Sequence, residues 1–99
     1  MAITAVQGDG VVTATNTVEI QPGAGEEYNI TLVLYAASSC EIKFDFGVTA
    51  DNSDPIILAE TTGAQNTITI QLLLTNTVYI SLYANAATFN YFYTGYKKT

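Results

Sequence analysis

Asn66-Thr67-Ile68-Thr69-Ile70-Gln71-Leu72-Leu73-Leu74-Thr75-Asn76-Thr77-Val78-Tyr79-Ile80-Ser81-Leu82-Tyr83 contains two runs of alternation around a polar break at Thr75-Asn76. Ile68, Ile70 and Leu72 share one parity in the first run, and Val78, Ile80 and Leu82 share one in the second. Successive side chains leave a strand on opposite faces, so a period of two predicts half-buried strands. The stretch reads as a pair of strands sharing one core face, and its β-branched and aromatic residues suit a pleated surface. The outward sets, Thr67, Thr69 and Gln71, then Thr77, Tyr79, Ser81 and Tyr83, are polar but uncharged. Such a surface is a candidate for contact with another protein.

Working toward the N-terminus, Cys40, Ile42, Phe44 and Phe46 alternate with Glu41, Lys43 and Asp45. This predicts a strand with both phenylalanines buried. Its charged outer face marks it as solvent-facing or as a sheet edge, because charge discourages edge pairing. Tyr28, Ile30, Leu32 and Leu34 form another inward set, with Asn29, Thr31, Val33 and Tyr35 outward. Pro22-Gly23-Ala24-Gly25 precedes it and predicts an exposed connection with a glycine at positive φ. Val11 to Gln21 reads as one long extended segment, interrupted at Asn16 by a bulge or an exposed end. Gly8-Asp9-Gly10 predicts a turn. Ala2 to Gln7 reads as a short edge strand or an arm, and residues 1–10 as an extended arm.

Toward the C-terminus, Ala36 to Ser39 predicts a turn, Gly47 to Asp54 a loop, Ile56 to Ala59 a short strand, and Thr61 to Gln65 another loop. Asn85-Ala86-Ala87 turns the chain again. In the last strand, Phe89, Tyr91 and Tyr93 lie on one side and Phe92 and Tyr96 on the other. Seven to eight strands with closely spaced turns predict an all-β chain, an antiparallel β-sandwich or jelly roll. The 99 residues form a single domain, 1–99, long enough to bury a core. Hydrophobic residues make up 48% of the chain and charged ones 12%, a balance opposite to that of disordered chains.

The net charge of −6, with Lys43, Lys97 and Lys98 the only basic side chains, argues against nucleic acid and anionic membranes as partners. No apolar run has the length of a membrane span. Met1 reads as the initiator of a complete gene product, without a signal peptide. Cys40 is the only cysteine, so no intrachain disulfide forms; it reads as a buried free thiol suited to a reducing cytosol.

Catalytic chemistry is poorly represented. The absence of histidine removes Ser-His-Asp and Cys-His arrangements and the commonest zinc ligand. Glu26 and Glu27 are adjacent at a strand entry, so they diverge instead of flanking one bond as glycosidase carboxylates do. Asp51-Asn52-Ser53-Asp54 offers oxygens for calcium but lacks the EF-hand glycine and distal glutamate; the plainer reading is an Asx-rich turn. The expectation is a protein that is not an enzyme and uses no cofactor. Its seven tyrosines admit two uses, sugar stacking or protein contact, and the enrichment of tyrosine at interfaces favours contact. The candidate interface residues are Tyr35, Thr77, Tyr79, Ser81 and Tyr83.

Val18-Glu19-Ile20-Gln21-Pro22-Gly23-Ala24-Gly25-Glu26-Glu27-Tyr28-Asn29-Ile30 resembles a pattern in small virion proteins of tailed bacteriophages. There an apolar strand, a proline, a glycine-glutamate pair and an aromatic lead into a second apolar strand. Asn76 to Leu82 and Tyr91 to Tyr96 are similar to C-terminal strands of the same group. Tyr28 stands where that pattern has tryptophan. The resemblance implies a capsid decoration, or cement, protein that reinforces the outer surface of the major capsid protein lattice. It implies a homo-oligomer, favouring a trimer, located on the virion after synthesis in the host cytoplasm. The alternative is a carbohydrate- or receptor-binding module of a phage fibre.

Overall fold

Alternating sequence becomes eight antiparallel strands in two sheets of four. The structure, a computed structural model, describes residues 2–36, 39–60 and 65–99. The strands are β1 (Ile3–Val12), β2 (Thr17–Ile20), β3 (Glu27–Ala36), β4 (Cys40–Phe46), β5 (Ile56–Glu60), β6 (Asn66–Thr75), β7 (Ile80–Asn85) and β8 (Phe89–Lys98). One sheet has the order β1-β8-β3-β6 and the other β2-β7-β4-β5. The pairs β1-β8, β2-β7, β3-β6 and β4-β5 are those of one long hairpin rolled up on itself. The contacts β8-β3 and β7-β4 then complete the two sheets. This is the jelly-roll arrangement of a β-sandwich.

Alternation places the core between the sheets. Ile30, Leu32 and Leu34 of β3, Leu74 of β6 and Phe89 of β8 are fully buried against Ile42 of β4 and Ile80 and Leu82 of β7. Cys40 is also buried there, its Sγ donating to the Ala87 carbonyl at 3.3 Å. Burial pushes this thiol's pKa up. Pro22 is buried as well, although the turn beyond it is exposed. Gly25 has φ 78°, the left-handed conformation expected in that turn.

Several sequence expectations are corrected. The runs in 66–83 share the core but not a sheet: β6 belongs to one layer and β7 to the other. The break is a turn held from outside, with Asn76 Nδ2 donating to the Pro22 carbonyl and Gln21 Nε2 to the Asn76 carbonyl. Val78 lies in that turn and is exposed, so β7 starts later than its alternation suggested. Gly8-Asp9-Gly10 is strand and not turn, and of the two readings of Ala2 to Gln7 the edge strand is the one observed: residues 3–12 pair along β8 as the edge of their sheet, so residues 1–10 do not form an arm over the described positions. The glycines serve close packing: a Cβ on Gly8 would sit 2.6 Å from the Tyr93 ring, and one on Gly10 2.9 Å from the Tyr91 hydroxyl.

The long segment expected over Val11 to Gln21 is broken at residues 13–16. Asn16 N–H donates to the Thr13 carbonyl at 3.0 Å, and Thr15 takes φ 66°. The charged strand β4 is not an edge; β7 and β5 flank it, and the edges of its sheet are β2 and β5. Its register slips between Ile42 and Lys43, while at Asn16 the exposed end is the alternative observed, in the turn between β1 and β2. Phe44 is half-buried, whereas Phe46 is 41% exposed at the strand end. Met1, the middle of the expected turn at 36–39 and all but the last residue of the expected loop at 61–65 fall outside the described residues.

Candidate functional site

Roll-up gives the molecule two outer faces of different chemistry. On the β2-β7-β4-β5 sheet, Glu41, Lys43 and Asp45 point outward, and Lys43 Nζ lies 3.9 Å from Glu41 Oε1. Thr49 Oγ1 donates to Glu19 Oε2 at 3.1 Å, tying the 47–54 loop over this face. Within the loop, the Ser53 hydroxyl and N–H both bond to the Asp51 carboxylate and hold its pKa below the usual carboxylate value. The Asp51 N–H in turn donates to Asp54 Oδ2 at 2.8 Å. The loop's own N–H and hydroxyl donors thus engage both carboxylates in an Asx turn, and among the described residues no cluster of acidic, cysteine or histidine side chains is arranged to hold a metal.

The outer face of β1-β8-β3-β6 is different. Pairing across its strands sets Ala5, Tyr96, Asn29 and Leu73 in one row and Gln7, Thr94, Thr31 and Gln71 in the next. Further along come Asp9, Phe92, Val33 and Thr69, then Val11, Asn90, Tyr35 and Thr67. Ile3, Val11, Leu73, Phe92 and Tyr96 are exposed on it, Leu73 at 64% and Tyr96 at 62%. Its charges are Asp9 on the edge strand and the Glu27–Lys98 pair, 3.8 Å apart, at one end. Between them lies a shallow depression of ≈ 480 Å³ lined by Asn29, Thr31, Gln71, Thr94 and Tyr96. Its amides are only loosely engaged: Gln71 Nε2 donates to Asn29 Oδ1 at 3.3 Å, and Thr31 Oγ1 to Gln71 Oε1 at 3.4 Å. A broad, weakly charged sheet face with exposed apolar side chains is suited to burial against a partner.

The residues expected to form an interface are dispersed. Tyr35 lies on this face, half-buried among Thr67 and Asn90. Tyr83 lies on the opposite sheet, paired with Thr17 and Lys43. Thr77 and Tyr79 belong to the β6–β7 turn, where the Tyr79 carbonyl accepts the Gly47 N–H at 2.9 Å. Ser81 is fully covered: its Oγ accepts the Ala50 N–H at 2.8 Å beneath the 47–54 loop, so it offers nothing to a partner. Leu73, Phe92 and Tyr96 also stand on this face and are not among the residues expected at an interface. The signal was present, because Leu73 breaks the polar outward row of β6 and Phe92 and Tyr96 oppose the parity of Phe89, Tyr91 and Tyr93. Only the sheet order brings them onto one surface. No protein-family model, curated protein or solved structure matches the chain, so the fold and this neutral face carry the functional argument.

Proposed function

We propose that the protein is a structural virion component, a capsid decoration protein that binds the outer surface of the major capsid protein lattice and stabilises the head. The observation that carries the reading is the outer face of β1-β8-β3-β6, where exposed apolar side chains stand among threonine, asparagine and glutamine with little charge. Burying such a face removes apolar area from water without stripping many ions of hydration. The jelly roll is a fold used in viral capsids, which is an analogy of architecture and supports the reading only as such. The resemblance of the Val18 to Ile30 segment to tailed-phage virion proteins adds to it. On this reading the protein works by contact alone, as a homo-oligomer on the particle surface.

The test is direct. Purified protein is added to tailed-phage capsids lacking decoration, and cosedimentation and the temperature of capsid rupture are measured. Saturable binding with a higher rupture temperature is expected. Failure to bind any such capsid removes the proposal.

A second reading has its own observation. Tyr96 is an exposed aromatic beside the amides of Asn29 and Gln71 and the hydroxyl of Thr31, a combination that can stack on a sugar ring and bond to its hydroxyls. A glycan array probed with the same protein separates the two readings, because specific saccharide binding lost in Tyr96→Ala favours the fibre-module alternative.

A further inference from the structure

We infer that β6 is a self-association edge, and that two copies of this chain pair along it about a two-fold axis at Ile70 to form one continuous eight-stranded sheet. The inference rests on the edge itself and is independent of capsid binding. β6 pairs with β3 through ten uninterrupted positions and, among the described residues, has no strand on its other side. Every second residue there turns its N–H and C=O outward, and only another extended chain satisfies such a row in register.

Edges are ordinarily protected by charge, proline, bulges or shortness. β6 has none of these. It is ten residues long, contains no charged residue, proline or glycine, and keeps its register throughout. The opposite edge, β1, carries Asp9 and two glycines whose inner side is filled by tyrosine rings. In a chain of net charge −6, β6 is an edge along which two copies meet without opposing charges.

The inner row supplies a second reason. Ile68, Ile70 and Leu72 are only half-buried, although they stand in the inner row of β6. Continuing the sheet would cover them.

The strand also suits itself. Antiparallel pairing keeps both inner faces on the same side only when residues of equal parity oppose each other. With Ile70 on the axis, Ile70 meets its own copy, Ile68 meets Leu72, and Thr69 meets Gln71. The aliphatic row then continues on the inner side and the polar row on the outer side. An isologous contact of this kind closes at two copies. A trimer joined through β6 would instead need it to meet a different edge, β1, β2 or β5.

Sedimentation equilibrium on the full chain tests the inference, with circular dichroism melts to establish folding. A mass of twice the 10.6 kDa protomer is expected. Thr69 and Gln71 are exposed and point away from the core, so substitutions there spare the fold. Thr69→Lys combined with Gln71→Lys places like charges opposite each other and should weaken the pair at least a hundredfold. Thr69→Lys combined with Gln71→Glu places opposite charges face to face and should restore association to within about tenfold of wild type. A monomer at high concentration, a mass of three protomers, or a dimer indifferent to both double substitutions would overturn the inference.

Discussion

Phe44 and Phe46 share a face of β4 but not an environment. Phe44 packs against the core, whereas Phe46 is 41% exposed and meets Phe44 edge-on, with ring centroids 5.9 Å apart. Phe44→Ala is expected to cost about 3 kcal/mol, the lower end for a core phenylalanine because it is half-buried. Phe46→Ala removes chiefly the ring contact and should cost about 1 kcal/mol. Urea unfolding of both variants checks the order, and equal losses would contradict it. Gly25 and Gly23 make a second contrasting pair. Gly25 has φ 78°, so Gly25→Val should cost about 1–2 kcal/mol through backbone strain even though a Cβ there would meet nothing. Gly23 has no positive φ, and its Cβ would meet only the carboxylate end of Glu26, which can move; Gly23→Ala should lie within about 0.5 kcal/mol of wild type. Titration supplies a third residue-level expectation. Burial raises the pKa of Cys40 above 9.0, and burial together with Tyr28 and Tyr91 raises that of Tyr93 above 10.0. The folded state therefore keeps protons that the unfolded chain has already lost. Their contribution is fully present below the unfolded values and is lost as pH rises through the folded ones. Stability should fall above roughly pH 9, and Cys40→Ala should flatten the first part of that fall in chemical denaturation followed against pH.

Among elements, glycine marks where strands pack most closely. A Cβ on Gly95 of β8 would fall on the backbone of Asn29 and Ile30 in β3, which cannot turn aside, whereas one on Gly8 would meet the ring of Tyr93. Gly95→Ala is therefore expected to cost about 3 kcal/mol and to loosen the β8-β3 seam, and Gly8→Ala to cost about 1 kcal/mol. Amide hydrogen exchange is the measurement: Gly95→Ala should lower protection in both central strands, and Gly8→Ala chiefly in β1. A different reason underlies what could be read from sequence at this scale. The bounds expected for β4 are those observed, the inward row of β3 is the expected one, and the two sides of β8 divide as expected although its ends and its inward side did not follow from sequence, because alternation depends only on each strand's own two faces. Strand neighbours are another matter. Apart from β4-β5, consecutive strands alternate between sheets, so proximity in sequence points to the wrong partner. Gly8-Asp9-Gly10 misled in the same way: its turn propensity is overridden by rings from β8 that need the missing side chains. The neutral face was only partly legible, because Tyr35 lies on it while its other members come into register across four strands.

At the scale of the whole molecule, the distinction that matters is between one neutral outer face and one charged outer face on a body measuring 46 × 23 × 17 Å. Ile3, Val11, Leu73, Phe92 and Tyr96 are exposed apolar side chains of the neutral face, whereas the exposed Phe46 and Ile56 lie at ends of strands in the other sheet. If the protein reinforces a capsid by contact, this face is buried and the charged one remains in water. Thr94→Lys introduces a charge at the centre of the neutral face, where the threonine is exposed, and Asp45→Lys changes a charge on the other. Neither side chain belongs to the core, so both variants should melt close to wild type, within about 0.5–1 kcal/mol. Capsid binding should separate them. Desolvating a lysine in the middle of an interface is unfavourable, so Thr94→Lys is expected to weaken binding by about 2–4 kcal/mol, and Asp45→Lys by less than about 0.5 kcal/mol. The pair Tyr79→Ala and Tyr83→Ala extends the comparison, because neither residue lies on the β1-β8-β3-β6 face. Their double substitution should leave capsid affinity near that of wild type while Leu73→Ala with Tyr96→Ala lowers it. The reverse ranking would transfer the docking surface to the β2-β7-β4-β5 side and leave the exposed apolar rows of the other sheet to some other contact.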